Sequence, residues 1–314
     1  MLLKALETIG YEDWKDKQKA ALAEGRHIGI GMAFELTPEG GTIPGTMVAG
    51  YDSSSVRVGP DGTVRVLTGI TSPGTHNGTA IAQIVADELG IDMDRIEVLQ
   101  GDTNSSPYGF GNYSGRSTIV GGGSAALAAK DVRDKINAVA AALLEVEIET
   151  LSLSEGIFSS SDNGDATLTF AEVCYASYTR AYDVALCIDP PLEATRTFKP
   201  PGISHLPDEN GRINPYPSYS NAVYVVVCEV DTETGKIDLL SLAAAHDCGK
   251  VINPILVEGQ VCGAFAMGLG GALTEDVQYD ANGVQLTKSF KDYVMLRMAD
   301  MPSVGMAHHD SPNP

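Results

Sequence analysis

Apolar residues recur along this chain with two different spacings, and the change of spacing predicts its elements. Helical spacing occurs within residues 1–24, from Ile81 to Leu89, and from Ser124 to about Leu144. Alternation of apolar and polar residues predicts strands in two hairpins, whose turns contain Asp61-Gly62 and Thr234-Gly235. The chain is therefore predicted to combine helices with short antiparallel strands.

One order of elements occurs in both halves of the chain. A hairpin is followed by a polar loop and a helix, first with the loop Thr71 to Gly78 and later with the loop His246 to Asn253. This order predicts an α+β fold of two related subdomains, each a mixed sheet of hairpins with helices packed on one face. The predicted domains are a first subdomain at 1–150, an irregular hairpin and proline-rich connection at 151–215, and a second subdomain at 216–314.

The composition indicates a globular protein that does not bind polyanions. Of its 314 residues, 43% are hydrophobic and 20% are charged, which is not the composition of a disordered chain. The formal net charge of −20 opposes binding to nucleic acid or to an anionic membrane surface. No apolar run approaches the ~20 residues of a membrane span and the first residues lack a signal-peptide pattern, which together predict a cytoplasmic protein.

The cysteines support the same compartment. They are odd in number and lack C-x-x-C spacing, which predicts reduced, mostly buried thiols and no disulfide framework. The five are Cys174, Cys187, Cys228, Cys248 and Cys262.

The most informative stretch for function runs from Gly101 to Ser124. It combines glycines, hydroxyl side chains and Arg116 in a loop that ends where an alanine-rich helix begins. Exposed backbone N–H groups next to a helix N-terminus can bind an anion such as phosphate. The Arg116 guanidinium suits bidentate contact with a phosphate or carboxylate. A surface loop with a glycine-softened helix start is the alternative.

Two further segments carry candidate chemistry. The loop that contains Gly74, Thr75 and His76 ends a strand and can present N–H groups and hydroxyls to a ligand, although capping of the next helix is an alternative. The helix after Asn253 contains many glycines, each of which costs roughly 1 kcal/mol relative to alanine. That cost is explained if a ligand approaches the helix closely, or alternatively by a tight helix–helix crossing. Gln260 on this helix offers both a donor and an acceptor.

Three motifs together resemble one known family. They are G-D-T…P-x-G-x-G-x-x-x-x-R-S from Gly101 to Ser117, V-D-x-x-T-G-K from Val230 to Lys236, and H-D-C-G-x-V-I-N-P-x-x-x-x-G-Q from His246 to Gln260. At these positions the chain resembles the molybdopterin-binding large subunit of the xanthine dehydrogenase, aldehyde oxidase and carbon monoxide dehydrogenase family. The resemblance covers the chain and corresponds to the second molybdenum-cofactor-binding region of that subunit.

The resemblance implies a molybdenum hydroxylase, which oxidatively hydroxylates an electron-poor carbon of an aldehyde, purine, N-heteroaromatic or carbon monoxide-type substrate. It implies molybdenum held by molybdopterin, in bacteria commonly as the cytosine dinucleotide. Electrons then pass to iron–sulfur clusters and FAD on partner subunits. The implied partners are another molybdopterin-binding chain, an iron–sulfur subunit, an FAD subunit and a small-molecule substrate.

The resemblance also implies the roles of particular residues. Gly74, Thr75 and His76 match the family's Gly-Gln-Gly beside the molybdenum oxo group, with Thr75 in place of the glutamine. The residues that match the loop around the pterin and its phosphates are Tyr113, Ser114, Gly115, Arg116 and Ser117, and Gln260 matches a glutamine that contacts the cofactor.

Two family segments have no counterpart in this sequence. One is the earlier cofactor-binding region with its glycine–phenylalanine loop, and the other is the G-x-G-E segment with the catalytic glutamate, which would follow Pro314. No residue is therefore assigned as catalytic, and the chain is expected to be a partial or split subunit whose second subdomain is incomplete. A non-catalytic scaffold subunit and an unrelated phosphate-binding module that uses only the Gly101–Ser124 loop are the alternatives.

Overall fold

The computed structural model describes residues 1–41, 50–180, 182, 188–204 and 206–312. The described helices are α1 (Leu2–Ile9), α2 (Tyr11–Ala23), α3 (Asn77–Leu89), α4 (Gly123–Leu144), α5 (Phe170–Thr179), α6 (Pro254–Leu273) and α7 (Phe290–Tyr293). The described strands are β1 (His27–Glu39), β2 (Ser53–Val58), β3 (Val64–Thr68), β4 (Ile96–Leu99), β5 (Leu151–Ser154), β6 (Ile157–Ser160), β7 (Thr167–Thr169), β8 (Glu193–Thr197), β9 (Ser218–Val230), β10 (Ile237–Asp247) and β11 (Val304–His308).

Contacts within the chain group these elements into two compact units. Unit 1 comprises Met1–Thr37 and Tyr219–Pro314, and unit 2 comprises Pro38–Ser218. The N-terminal helices are thus grouped with the last third of the chain, and the stretch after residue 150 with the residues before it. The domain limits at residues 150 and 215 stay a prediction from composition, which cannot detect a unit built from two separated segments.

Unit 2 is built on a four-stranded sheet in the order β4-β3-β2-β8. Strands β2 and β3 form the predicted antiparallel hairpin, with Gly62 at a φ of 79° in its turn, and β4 is parallel to β3. Helices α3 and α4 bury their apolar stripes in the same core as this sheet, for example Val85 and Val132 with Val66. Strands β5, β6 and β7 form a separate three-stranded sheet.

Unit 1 is built on a four-stranded sheet in the order β1-β9-β10-β11. Strand β10 has apolar residues on both of its faces, so each face of the sheet must pack against another element. Ala243 on one face packs with Ala5 of α1, while Leu242 on the other packs with Val261 and Phe265 of α6. In this detail the structure differs from the predicted packing of helices on one face.

The repeated order predicted from the sequence is present in the topology. In each unit an antiparallel hairpin is followed by a helix and by a strand that lies parallel to the second hairpin strand. The repeats are β2-β3-α3-β4 and β9-β10-α6-β11, and the α+β class is confirmed. The loops after β3 and β10 therefore occupy equivalent positions at the carboxyl ends of central strands, where α/β sheets bind ligands.

Helix α6 has few buried residues for so apolar a segment. Its start is set by Asn253, whose Oδ1 accepts the N–H of Leu256 at 3.2 Å. Among its residues only Val261, Phe265 and Gly270 are buried. By length and composition it could cross a membrane, alone among the helices of the described residues, although the core helices of soluble proteins pass the same test. The prediction that no apolar run approaches that length is corrected here.

The cysteines are less buried than predicted. Cys174, Cys228, Cys248 and Cys262 are free thiols, but only Cys174 is buried, and Cys187 lies outside the described residues. Burial raises the pKa of the Cys174 thiol to about 12.

We expect iodoacetamide at mildly alkaline pH to modify the exposed Cys248 long before Cys174, because alkylation requires an accessible thiolate. Mass spectrometry of timed samples would measure both, and early labelling of Cys174 would contradict this packing.

A pair of substitutions tests the exposed face of α6. Met267 is 76% exposed, so we expect Met267→Gln to change the free energy of unfolding by about 0.5 kcal/mol or less. Phe265 is buried, and its ring lies edge-on to the ring of Tyr224 with the centroids 5.3 Å apart. We expect Phe265→Ala to lower the free energy of unfolding by about 3–5 kcal/mol. Urea unfolding measures both values. Equal losses would mean that Met267 is packed.

Candidate functional site

The loop from Gly101 to Ser117 lies against the start of β2 in unit 2. Ser53 donates its N–H to the carbonyl of Tyr108 at 3.0 Å, and Phe110 donates its N–H to Asp52 Oδ1 at 2.8 Å. The loop that the sequence singled out is thus hydrogen-bonded to the start of β2, an interior strand of the sheet.

Two glycines allow the loop backbone to touch the end of β3. A Cβ added to Gly109 would lie 1.9 Å from the carbonyl oxygen of Gly69, a distance that no side chain can occupy. Glycine at these positions is therefore required by close approach of two backbones, not by flexibility. The contact fixes the loop at the carboxyl end of a central strand.

The loop then adopts backbone angles that favour glycine. Gly111, Ser114 and Gly115 have φ values of 117°, 48° and 66°. For Ser114 this left-handed conformation is strained, and such strain persists only where the surroundings enforce it. The Ser114 hydroxyl donates to the carbonyl of Pro38 at 2.9 Å.

The helix that follows begins with a π-helical stretch over Ser117–Gly122 before α4. Its first N–H groups are partly used inside the loop, since Thr118 and Ile119 both donate to the carbonyl of Gly115 at 3.2 Å. Fewer helix N–H groups are left for an anion than the sequence suggested.

Arg116 lies in the interior of unit 2. Its Nη2 is 2.8 Å from Asp52 Oδ2, and the two side chains are 2% and 0% exposed. The guanidinium also donates to the carbonyls of Gly41 and Gly50, each at 3.5 Å. The cation predicted to face a ligand is therefore neutralised within the protein.

Asn112, which the sequence analysis did not select, joins two of the predicted segments. Its Nδ2 donates to Thr75 Oγ1 at 3.5 Å, and its Oδ1 accepts from the Ser117 hydroxyl at 2.5 Å. The structure thus brings the Thr75 loop and the glycine-rich loop together in unit 2. An amide side chain in the middle of a glycine motif was the available signal.

The Thr75 loop is held by Asn77, which does not act as a helix cap. Its side chain donates to the carbonyl of Thr71 and accepts from Gln100, both at 3.1 Å. The residue at the N-terminus of α3 is His76, with a φ of 52° and no capping hydrogen bond from its side chain. Asn77 therefore shapes the loop, and neither Gly74 nor His76 is buried.

Three buried polar atoms of the loop from Gly101 to Ser117 lack a hydrogen-bond partner among the described residues. They are Ser106 Oγ, Tyr113 Oη and Arg116 Nε. Burial raises the pKa of the Tyr113 hydroxyl, which keeps it protonated and able to donate. Unpaired buried donors are costly, and a ligand oxygen is one acceptor that would remove the cost.

Gln260 belongs to unit 1, where it lies exposed on α6. The glycines of this helix that have open space where a Cβ would stand are Gly259, Gly263, Gly268 and Gly271. At these four positions nothing in the described part of the chain crosses the helix closely. That Gln260, Thr75 and Arg116 surround one ligand stays a prediction.

Comparisons with known proteins agree on the class. A family profile described as a molybdopterin cofactor-binding domain matches residues 4–302. The carbon monoxide dehydrogenase large chain of Hydrogenophaga pseudoflava is 30% identical over 100% of this chain and 38% of its own length. A gamma subunit of the 6-hydroxypseudooxynicotine dehydrogenase complex of Paenarthrobacter nicotinovorans is 32% identical over 96% of this chain and 35% of its own length.

Solved structures give the same result. Quinoline 2-oxidoreductase from Pseudomonas putida 86 superposes with a TM-score of 0.83 at 30% identity, over 99% of this chain and 38% of that one. Reconstituted carbon monoxide dehydrogenase from Oligotropha carboxidovorans superposes with a TM-score of 0.84 at 31% identity, also over 99% of this chain and 38% of that one.

The fold and the loops thus define a molybdopterin cofactor-binding domain. The chain belongs to the molybdopterin-binding subunits of the xanthine dehydrogenase family, which confirms the resemblance, and spans 35% to 38% of the length of these relatives.

Among the described residues no group of three or more His, Cys, Asp and Glu side chains could hold a metal ion.

The glycine-rich loop depends on close contact between two backbones, which a substitution can test. Gly109→Ala should destabilise the protein by about 1–3 kcal/mol, because its Cβ would overlap the carbonyl of Gly69. Gly263→Ala is the control and should stabilise by up to about 1 kcal/mol, because its position in α6 is helical and open. Urea unfolding compares them, and a neutral Gly109→Ala would refute the contact.

Proposed function

We propose that this chain is the molybdopterin-cofactor-binding portion of a molybdenum hydroxylase that hydroxylates an electron-poor carbon. The observation that carries the proposal is the Asn112 bridge, which joins two motif-bearing loops at the carboxyl end of β3. The match of the cofactor-binding family over residues 4–302 supports the identity of the ligand.

The residues present fit such a cofactor. An anionic pterin with many oxygens and nitrogens needs donors that the protein does not use itself, and Tyr113 Oη is a buried donor of this kind. We propose that Gly74, Thr75 and His76 lie towards the metal, that Tyr113 to Ser117 surround the pterin and phosphates, and that Gln260 contacts the cofactor from α6. When bound, the molybdenum centre supplies the redox chemistry, while the protein orients the pterin and excludes water.

The same proposal includes partner chains. Relatives are named as a large chain and as one subunit of a dehydrogenase complex, which supports an assembly with another molybdopterin-binding chain, an iron–sulfur subunit and an FAD subunit. We propose the cytosine dinucleotide form of the cofactor and a cytoplasmic location. The proposed substrate classes are aldehydes, purines, N-heteroaromatics and carbon monoxide. Relatives named for carbon monoxide and for nicotine support the last two of these classes.

The test is the content of the assembled complex. We expect molybdenum and a cytosine nucleotide in equal amounts, measured by elemental analysis and by chromatography of the acid-released nucleotide. A purified complex that contains neither would refute the proposal.

A tyrosine pair tests the proposed contact. Tyr113→Phe keeps the ring but removes the buried hydroxyl, and should speed nucleotide loss about three- to tenfold. Tyr175→Phe is the matched control, because Tyr175 is exposed on α5. Equal rates for both variants would show that the Tyr113 hydroxyl does not contact the cofactor.

A non-catalytic scaffold is the second candidate, and Thr75 in place of the usual glutamine favours it. The hydroxylase and the scaffold are distinguished by dye reduction, measured with the assembled complex and an aldehyde, a purine, an N-heteroaromatic or carbon monoxide as substrate. Only the hydroxylase reduces the dye with one of these substrates. Cofactor content without turnover of any of them would favour the scaffold.

A further inference from the structure

We propose that Arg116 is a positioning residue, which acts through Asp52 to hold the loop from Gly109 to Ser117 in its ligand-binding conformation and does not itself bind a cofactor phosphate. This inference rests on the proposed function and assigns Arg116 a different role from the one implied by the motif. It also adds Asp52, which lies outside all three motifs.

The guanidinium has no parallel pair of N–H groups left for a phosphate. Bidentate recognition needs two parallel donors, and each such pair in a guanidinium includes an N–H of Nη2. Both Nη2 protons are used by Gly50 and Asp52 and one Nη1 proton by Gly41, which leaves the N–H of Nε and the second N–H of Nη1, and these two are not parallel neighbours. A phosphate would have to displace a carboxylate at 2.8 Å in the interior of the unit.

The Asp52 carboxylate links the two ends of the strained stretch. One oxygen accepts the N–H of Phe110 and the other contacts Arg116, both at 2.8 Å. Between these ends lie the left-handed residues Ser114 and Gly115 and the bridging Asn112. A single side chain therefore closes the loop at its base.

Aromatic rings complete the arrangement. The guanidinium carbon is 5.5 Å from the ring centroid of Phe110 and 5.4 Å from that of Tyr113, within cation–π range. A Cβ on Gly50 would lie 1.8 Å from the Phe110 ring, so this ring is packed against bare backbone. Movement of the guanidinium would therefore displace Tyr113, whose hydroxyl is the proposed cofactor contact.

The test uses Asp52→Asn, Arg116→Gln and the double variant in the assembled complex. If Arg116 acts through Asp52, each single variant lowers retention of molybdenum and nucleotide after gel filtration about tenfold, and the double variant retains at least as much as either single variant. If Arg116 binds phosphate directly, Asp52→Asn retains as much as the unmodified protein, because the freed guanidinium still binds. That order of retention would overturn the proposal.

The double variant guards against simple unfolding. A single variant leaves one buried charge unpaired, whereas the double variant is neutral and should fold. Glu97→Gln is the matched control, because it breaks the exposed Arg65–Glu97 pair at 3.0 Å and should change nothing.

Hydrogen exchange separates this proposal from the cofactor assignment. In the cofactor-free complex, Asp52→Asn should raise deuterium uptake at residues 109–117 about tenfold, while the core helix α4 stays protected. A general loss of structure would expose both segments. Unchanged uptake in the loop would refute the positioning role, whereas a complex without molybdenum or nucleotide would refute only the proposed function.

Discussion

A buried carboxylate connects the elements on which this domain depends. Asp52, directly before β2, contacts the Phe110 N–H and the Arg116 guanidinium, so that the start of β2, the glycine-rich loop and the residue before the π-helical stretch are joined by one side chain. A carboxylate in the interior must be paired, because an unpaired buried charge costs far more than a mispacked apolar group. The loop conformation is thereby tied to the stability of the sheet.

The topological repeat explains how one chain presents two kinds of loop. Each unit ends a central strand in a polar loop that precedes a helix, with Thr75 in one unit and the segment before Gln260 in the other. An acidic chain of net charge −20 can present such loops to an anion, because N–H dipoles and a few donors act locally while the overall field is screened over about 10 Å.

Helix α6 shows what the fold leaves for other molecules. A segment of its apolarity is ordinarily covered, yet Ile255 and Met267 are 78% and 76% exposed. Its open glycines lie in the same helix as Gln260. A helix that gives up intrinsic stability through glycine and remains uncovered is suited to close approach by a ligand or a partner chain.

The sequence by itself determined the local elements and the family. Periodicity placed α3 and α4, Asp61-Gly62 marked the first hairpin, and the three motifs identified the cofactor class. It did not reveal β11, which exists because β10 offers an unpaired edge, nor the helix α5 within the segment predicted to be irregular. The role of Arg116 also depended on the tertiary structure, because its partner Asp52 is 64 positions away and no local spacing indicates which charges meet in the interior. Secondary structure follows from neighbours along the chain, whereas the fate of a buried charge is decided by the elements that fold over it.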